Sequence, residues 1–191
     1  MCGTAVHSVH VYDGLSSLVG RLCGIAGSAL KIGNTVLIVA RPEVRDGLVY
    51  ELSETGIDVR DHAREDRFCM YDAGAMLAQF MIEGRPDPDL FTKCIGSALE
   101  QARKASKSKD GGLTVFGEMV ALLWAEGNRT GALELERLWN KALSQNIFHL
   151  HCGYPRSFLA DQTPDAQAVF AAHTHVLKDD EADSFRSRIN A

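Results

Sequence analysis

The sequence has no run of eighteen consecutive apolar residues and no basic N-terminal stretch leading into an apolar one. A spanning helix needs the first and a secretory signal the second, so the expected location is cytoplasmic, with neither export nor a membrane partner. Positive charge is not in surplus: 20 Lys and Arg stand against 25 Asp and Glu, a formal net charge of −5. Nonspecific attachment to nucleic acid needs that surplus, so direct nucleic-acid binding is not expected either. Cysteine is sparse. Cys2, Cys23, Cys69, Cys94 and Cys152 are odd in number, widely spaced and form no CxxC, the pattern of reduced thiols. GxSxG and HExxH are both missing, as are internal repeats and low-complexity segments, and no catalytic set is visible.

What is present is enough for one α/β domain. A chain of 191 residues with 46% hydrophobic content can bury a single substantial core, and two independent domains would be cramped. The expected organisation is one domain over residues 1–177 and a charged tail over 178–191. Val6 to Tyr12 reads as a first strand, ended by the turn-forming pair Asp13-Gly14. Leu15 to Leu30 carries a helical apolar stripe whose Gly20, Gly24 and Gly27 predict close packing against a neighbour. Thr35 to Ala40, TVLIVA, is apolar on both faces, as a central parallel strand covered by helices would be.

Pro42 opens a helix through Leu52, and Gly56 leads into a short strand at Ile57 to Val59. Arg67 to Tyr71 reads as a strand and Ala73 to Ile82 as a helix. Asp87 caps a long helix in which Leu90, Phe91, Cys94, Ile95, Ala98, Leu99 and Ala102 keep the helical period. Ser106 to Gly112 is an exposed loop. Further on, Ile147 to Tyr154 is a strand with Phe148, Leu150 and Cys152 on one face and His149, His151 and Gly153 on the other. Pro164 opens a last helix through about His175. Strands alternating with helices predict a three-layer α/β fold with a mainly parallel sheet.

The most ordered stretch runs from Leu113 to Pro155. Leu113 to Phe116 is a strand, Gly117-Glu118 breaks it, and an apolar helix follows with Met119, Val120, Leu122, Leu123 and Trp124. After Gly127-Asn128 a second helix, about Thr130 to Gln145, sets Leu135, Leu138, Trp139, Ala142 and Leu143 on one stripe, with Glu134, Glu136, Arg137 and Lys141 largely off it. This block, with Phe116-Gly117-Glu118-Met119-Val120, Leu135-Glu136, Leu138-Trp139-Asn140 and Cys152-Gly153-Tyr154-Pro155, resembles the MEDS domain, the methanogen/methylotroph DcmR sensory domain. Shorter matches follow the same order: His10-Val11-Tyr12, Tyr71-Asp72-Ala73, Phe80-Met81, Pro86-Asp87 and His173-Thr174-His175-Val176. The resemblance implies a signal-sensing, RecA-like α/β domain of the kind often fused to kinases or transcription regulators.

A RecA-like ATPase holds its phosphates with a glycine-rich loop ending in Gly-Lys-Ser or Gly-Lys-Thr after the first strand. Here Asp13-Gly14-Leu15-Ser16-Ser17 occupies that place without a lysine, so neither ATPase activity nor any other enzymatic activity is expected. In open α/β sheets ligands sit beyond the carboxyl ends of the strands. That rule picks out Tyr12, Asp13, Arg41, Asp72, Glu118, Tyr154 and Arg156 as ligand-binding residues for a small polar or amphipathic molecule. The competing reading is that each acid caps the helix it precedes, an interaction of about 0.3–1 kcal/mol.

No cofactor is identified and no metal set is assigned. Of the pairs His7/His10, His149/His151 and His173/His175, His149 with His151 would share a strand face while His173 and His175 on a helix would point apart, and Cys152 beside Leu150 reads as a buried, inert thiol. The expected function is a non-enzymatic sensory domain that signals by association with a separate kinase, regulator or second copy of itself. The alternative is a small metal- or thiol-dependent switch or enzyme built on the His and Cys residues.

Overall fold

The computed structural model describes residues 5–109, 112–161 and 163–179. In chain order these form β1 (Val6–Tyr12), α1 (Leu15–Lys31), β2 (Thr35–Ala40), α2 (Pro42–Glu54), α3 (Val59–Arg64), β3 (Phe68–Asp72) and α4 (Ala73–Leu77). There follow β4 (Met81–Ile82), β5 (Arg85–Pro86), α5 (Pro88–Ala105), β6 (Leu113–Gly117), α6 (Met119–Ala125) and α7 (Arg129–Gln145). The chain continues with β7 (His149–Pro155), α8 (Arg156–Leu159), α9 (Pro164–Ala172) and β8 (His175–Lys178).

Six strands form one sheet in the order β3-β2-β6-β7-β1-β8, every pairing parallel. Parallel neighbours require crossover helices, and those helices bury both faces. The two faces have separate cores. On one, α1 and α2 pack Leu18, Leu22, Val44, Leu48 and Leu52 against Val36, Ile38, Ala40, Tyr12 and Phe116. On the other, α4, α5, α6, α7 and α9 cover Val9, Val11, Leu37, Val39, Val115, Leu150, Cys152 and Tyr154. The three-layer α/β architecture is therefore the one the alternation of elements predicts. Among the described residues no helix is long and apolar enough to cross a membrane.

Three elements depart from the sequence reading. Ile57 to Val59 is not a strand, because the Asp58 carboxylate accepts the Arg60 N–H and starts α3 there. The helix expected to reach Ile82 stops at Leu77, and Met81–Ile82 instead pairs with Arg85–Pro86 across a turn in which Glu83 and Gly84 both have positive φ, 48° and 79°. Two such residues suit a tight hairpin. The last helix ends at Ala172, and His175–Lys178 is the sheet's edge strand beside β1. Thr174 sets that register: its N–H and hydroxyl donate to the His7 carbonyl at 2.7 and 2.9 Å, and its hydroxyl accepts from the His7 N–H at 3.1 Å.

The glycines of α1 are explained only in part: a Cβ at Gly27 would lie 3.0 Å from Ile57 Cδ1, whereas Gly20 and Gly24 face open space. Beyond Asp179, the charged tail lies outside the described residues, as does Cys2.

Candidate functional site

Glu118 follows β6 at the centre of the sheet and is fully buried. Its backbone N–H donates to Val39 of the neighbouring strand at 2.9 Å, which fixes the residue across the β2–β6 seam. Its side chain makes no cap hydrogen bond to α6, the helix it begins. It turns instead to Arg41, the residue that begins α2: Oε2 accepts the Arg41 backbone N–H at 3.0 Å, and Oε1 accepts Nε at 3.1 Å and Nη2 at 2.7 Å. Such charge-assisted, multiply bonded pairs are the strong ones. The Tyr12 hydroxyl reaches the same Oε1 at 3.4 Å. Burial and then the Glu118 charge push the Tyr12 phenol above its ordinary pKa, and the hydrogen bond to Glu118 raises that of the Arg41 guanidinium.

Tyr12 reaches this network from β1 by crossing β7 at Gly153. A Cβ there would stand 2.9 Å from Phe116 and 3.4 Å from the Tyr12 ring, so the glycine leaves the space both rings occupy. Around this centre the other proposed residues form two further arginine pairs. Asp13 takes Arg156 in a two-pronged contact, with Nη2 to Oδ2 at 3.1 Å. Asp72 does cap α4, accepting from Ala75 N at 2.8 Å, and its other oxygen takes Arg45 Nη2 at 3.2 Å. Three arginine–carboxylate pairs thus stand where β1, β2, β3, β6 and β7 end.

Tyr154 does not join them. It lies on the opposite face of the sheet from Tyr12 and donates to Glu136 Oε1 of α7 at 2.9 Å. There it belongs to a second polar group, closed off from solvent beneath β1 and β7: His7, Glu136, Cys152 and His173, whose ligand-type atoms all lie within 4.8 Å of one another and could hold a metal ion. His7 Nε2 is 3.3 Å from Glu136 Oε2 and 3.4 Å from Cys152 Sγ. Burial pushes the Glu136 carboxyl up, but His7 and His173, when protonated, outweigh it together with the Tyr154 hydroxyl and hold the group below its ordinary pKa. The Cys152 thiol is pushed well up, by burial first and then by Glu136. Burial lowers His173, against the pull of Glu136.

The histidine pairs of the sequence are rearranged in space. His10 meets His151 at 2.9 Å on the α1 face, while His7 meets His173 with ring centroids 4.0 Å apart on the other. Both His10 and His151 are buried, and burial with neighbouring positive charge lowers them to about 3 and about 4. The sequence sets Glu136 off the apolar stripe of its helix, yet it is buried with that stripe. It stands three residues before Trp139 and seven before Leu143, both buried, and that spacing was the available signal.

A wholly parallel sheet covered on both faces, with polar groups gathered at its carboxyl edge, defines a domain of the open α/β class. The profile of the MEDS family, the MEthanogen/methylotroph, DcmR Sensory domain, matches residues 6–176, and the chain belongs to that family. No curated protein matches the sequence. Among solved structures the chain is similar in fold to an uncharacterised protein from Pyrococcus horikoshii, crystallised in complex with an unknown peptide. The two share 14% identity and a TM-score of 0.58, over 90% of this chain and 76% of the other.

Proposed function

We propose that this sensory domain binds a small polar ligand at the carboxyl edge of its sheet and passes the signal, without turnover, to a separate kinase, regulator or second copy of itself in the cytoplasm. The observation that carries the reading is the Arg41–Glu118 pair. Glu118 is sealed in the domain, yet the Arg41 side chain remains 43% exposed, so a deeply anchored guanidinium presents its outer edge to solvent. An acceptor group on a ligand can meet that edge without displacing Glu118. The Asp13–Arg156 and Asp72–Arg45 pairs flank it and supply further donors and acceptors. Because Arg41 begins α2 and Glu118 begins α6, their pair links helices on both faces of the sheet, and a ligand on Arg41 bears on that link.

Native mass spectrometry of the protein purified from its source cells tests this, comparing the wild type with Arg41→Gln. A co-purifying small molecule present on the wild type and lost from the folded variant is expected. A molecule retained equally by both would place binding elsewhere.

A further inference from the structure

The buried group beneath β1 and β7 is assembled as metal ligands are. His7 Nδ1 lies 3.0 Å from Asn140 Oδ1 and 3.1 Å from the Ala172 carbonyl. The Asn140 amide is oriented by its own Nδ2, which donates to Ala172 at 3.0 Å, so both neighbours of Nδ1 are acceptors and Nδ1 carries the ring proton. In the neutral ring His7 Nε2 then presents a lone pair. His173 follows the same rule: Nδ1 faces the Val169 carbonyl at 2.7 Å, and Nε2 is buried with no hydrogen-bond partner. Both lone pairs are aimed at the Glu136 carboxylate, which is itself an acceptor. Only the Cys152 thiol and the Tyr154 hydroxyl bring protons to this centre, so the acceptors outnumber the donors in a place without water's screening.

The spacing points the same way. His7 Nε2 to Glu136 Oε2 is 3.3 Å, His7 Nε2 to Cys152 Sγ is 3.4 Å, and Cys152 Sγ to Glu136 Oε2 and His173 Nε2 to Glu136 Oε1 are both 3.6 Å. Good N–H···O hydrogen bonds are shorter, near 2.9–3.0 Å. The His7, Cys152 and Glu136 Oε2 atoms stand as ligands at tetrahedral angles do, roughly 3.3–3.6 Å apart for bonds of about 2.0–2.1 Å to nitrogen and oxygen and 2.3 Å to sulfur, while His173 lies nearest the other carboxylate oxygen and within 4.8 Å of the set.

We propose that His7, Glu136, Cys152 and His173 form a closed, four-ligand site for one divalent transition-metal ion of the zinc class. A thiolate and a carboxylate carry together the charge that neutralises such an ion, and two neutral imidazoles complete a tetrahedron of mixed S, N and O donors. The outer contacts are those a ligated histidine requires: Asn140 and the Ala172 carbonyl orient His7, the Val169 carbonyl orients His173, and Tyr154 holds Glu136. The ligands come from β1, α7, β7 and the residue after α9, so the ion ties the segment leading into edge strand β8 to the middle of the sheet. This site is separate from the arginine pairs at the carboxyl edge, and each stands without the other.

The test is cobalt(II), a zinc surrogate with visible d–d bands. The full chain is unfolded, stripped with chelator and refolded with cobalt(II), and read by absorption and by metal content after gel filtration. One ion per chain is expected, with tetrahedral d–d bands and a thiolate-to-cobalt charge-transfer band that zinc abolishes on displacement. Cys152→Ser should lose the charge-transfer band, and Tyr154→Phe, which touches no metal, should weaken cobalt binding by about 10–100-fold. A wild type that refolds with native circular dichroism but shows no d–d bands at saturating cobalt(II) would overturn the site. So would bands that survive unchanged in both Cys152→Ser and Glu136→Gln, since the ion would then be bound elsewhere.

Discussion

The carboxylate of Glu118 accepts both the backbone N–H and the guanidinium of Arg41, so the side chain after β6 secures the start of the helix after β2. Glu118→Gln keeps the shape but loses the charge and turns an amide N–H₂ toward a guanidinium or a backbone N–H. Hydrogen bonds to charged groups contribute about 1.5–3 kcal/mol, and the partial exposure of Arg41 places the loss toward the lower end. Urea unfolding measures it. A loss no larger than the roughly 0.5 kcal/mol of an ordinary surface change would mean the network is not formed in solution.

Gly153→Ala tests how Tyr12 reaches that network. The new methyl group would meet the Phe116 ring at 2.9 Å and crowd the Tyr12 ring, an overpacking of about 1–3 kcal/mol. Shortening the obstructing ring with Phe116→Leu in the same chain should recover part of the loss in a double-mutant cycle. Equal stability of Gly153→Ala and wild type would show that the crossing is looser than described.

Trp139 is almost completely buried and meets Phe91 edge to face, with centroids 5.3 Å apart. Trp139→Ala should therefore destabilise the domain by about 3–5 kcal/mol in equilibrium unfolding. A loss below about 1 kcal/mol would imply a tryptophan exposed in solution.

Much of this was legible in the sequence because it follows from period and order. The apolar-on-both-faces TVLIVA run is β2, central and wholly buried, and the alternation of β7 sends Leu150 and Cys152 to one face and Gly153 to the other. The same alternation places Tyr154 with Cys152, against its expected place among the carboxyl-edge residues. Position after a strand says that a residue is near the edge; parity says which face it serves, and both are needed. The buried four-residue group was not legible, because its members come from four separate stretches of the chain and meet only where β1, β7, α7 and the turn after α9 pack together. The sequence reads His173 as helical, whereas it stands just past the end of α9 at Ala172, before the turn into β8. The short Thr174 turn, hydrogen-bonded to the His7 backbone, is a tertiary feature with no local sequence period.

Acid should weaken the fold through His10. Its folded pKa is about 3, lowered by burial first and then by His151, while an unfolded histidine titrates near its ordinary value of 6.5. Between those values the unfolded chain binds a proton that the folded chain does not, so stability falls as pH drops from about 6.5 toward 3. The slope is at most about 1.4 kcal/mol per pH unit for one such group. His10→Gln should flatten the stability profile over that window, and an unchanged slope would assign the acid sensitivity to other groups.

A ligand meeting the exposed edge of Arg41 at the carboxyl end of the sheet is the central claim. Backbone amide NMR of the isotopically labelled chain, titrated with a panel of small polar metabolites, examines that edge directly. The expected result is a saturable set of shifts concentrated at residues 12–14, 41–45, 118–119 and 155–156, absent from the folded Arg41→Gln variant. Saturable shifts confined to another surface, with these residues unmoved, would contradict it.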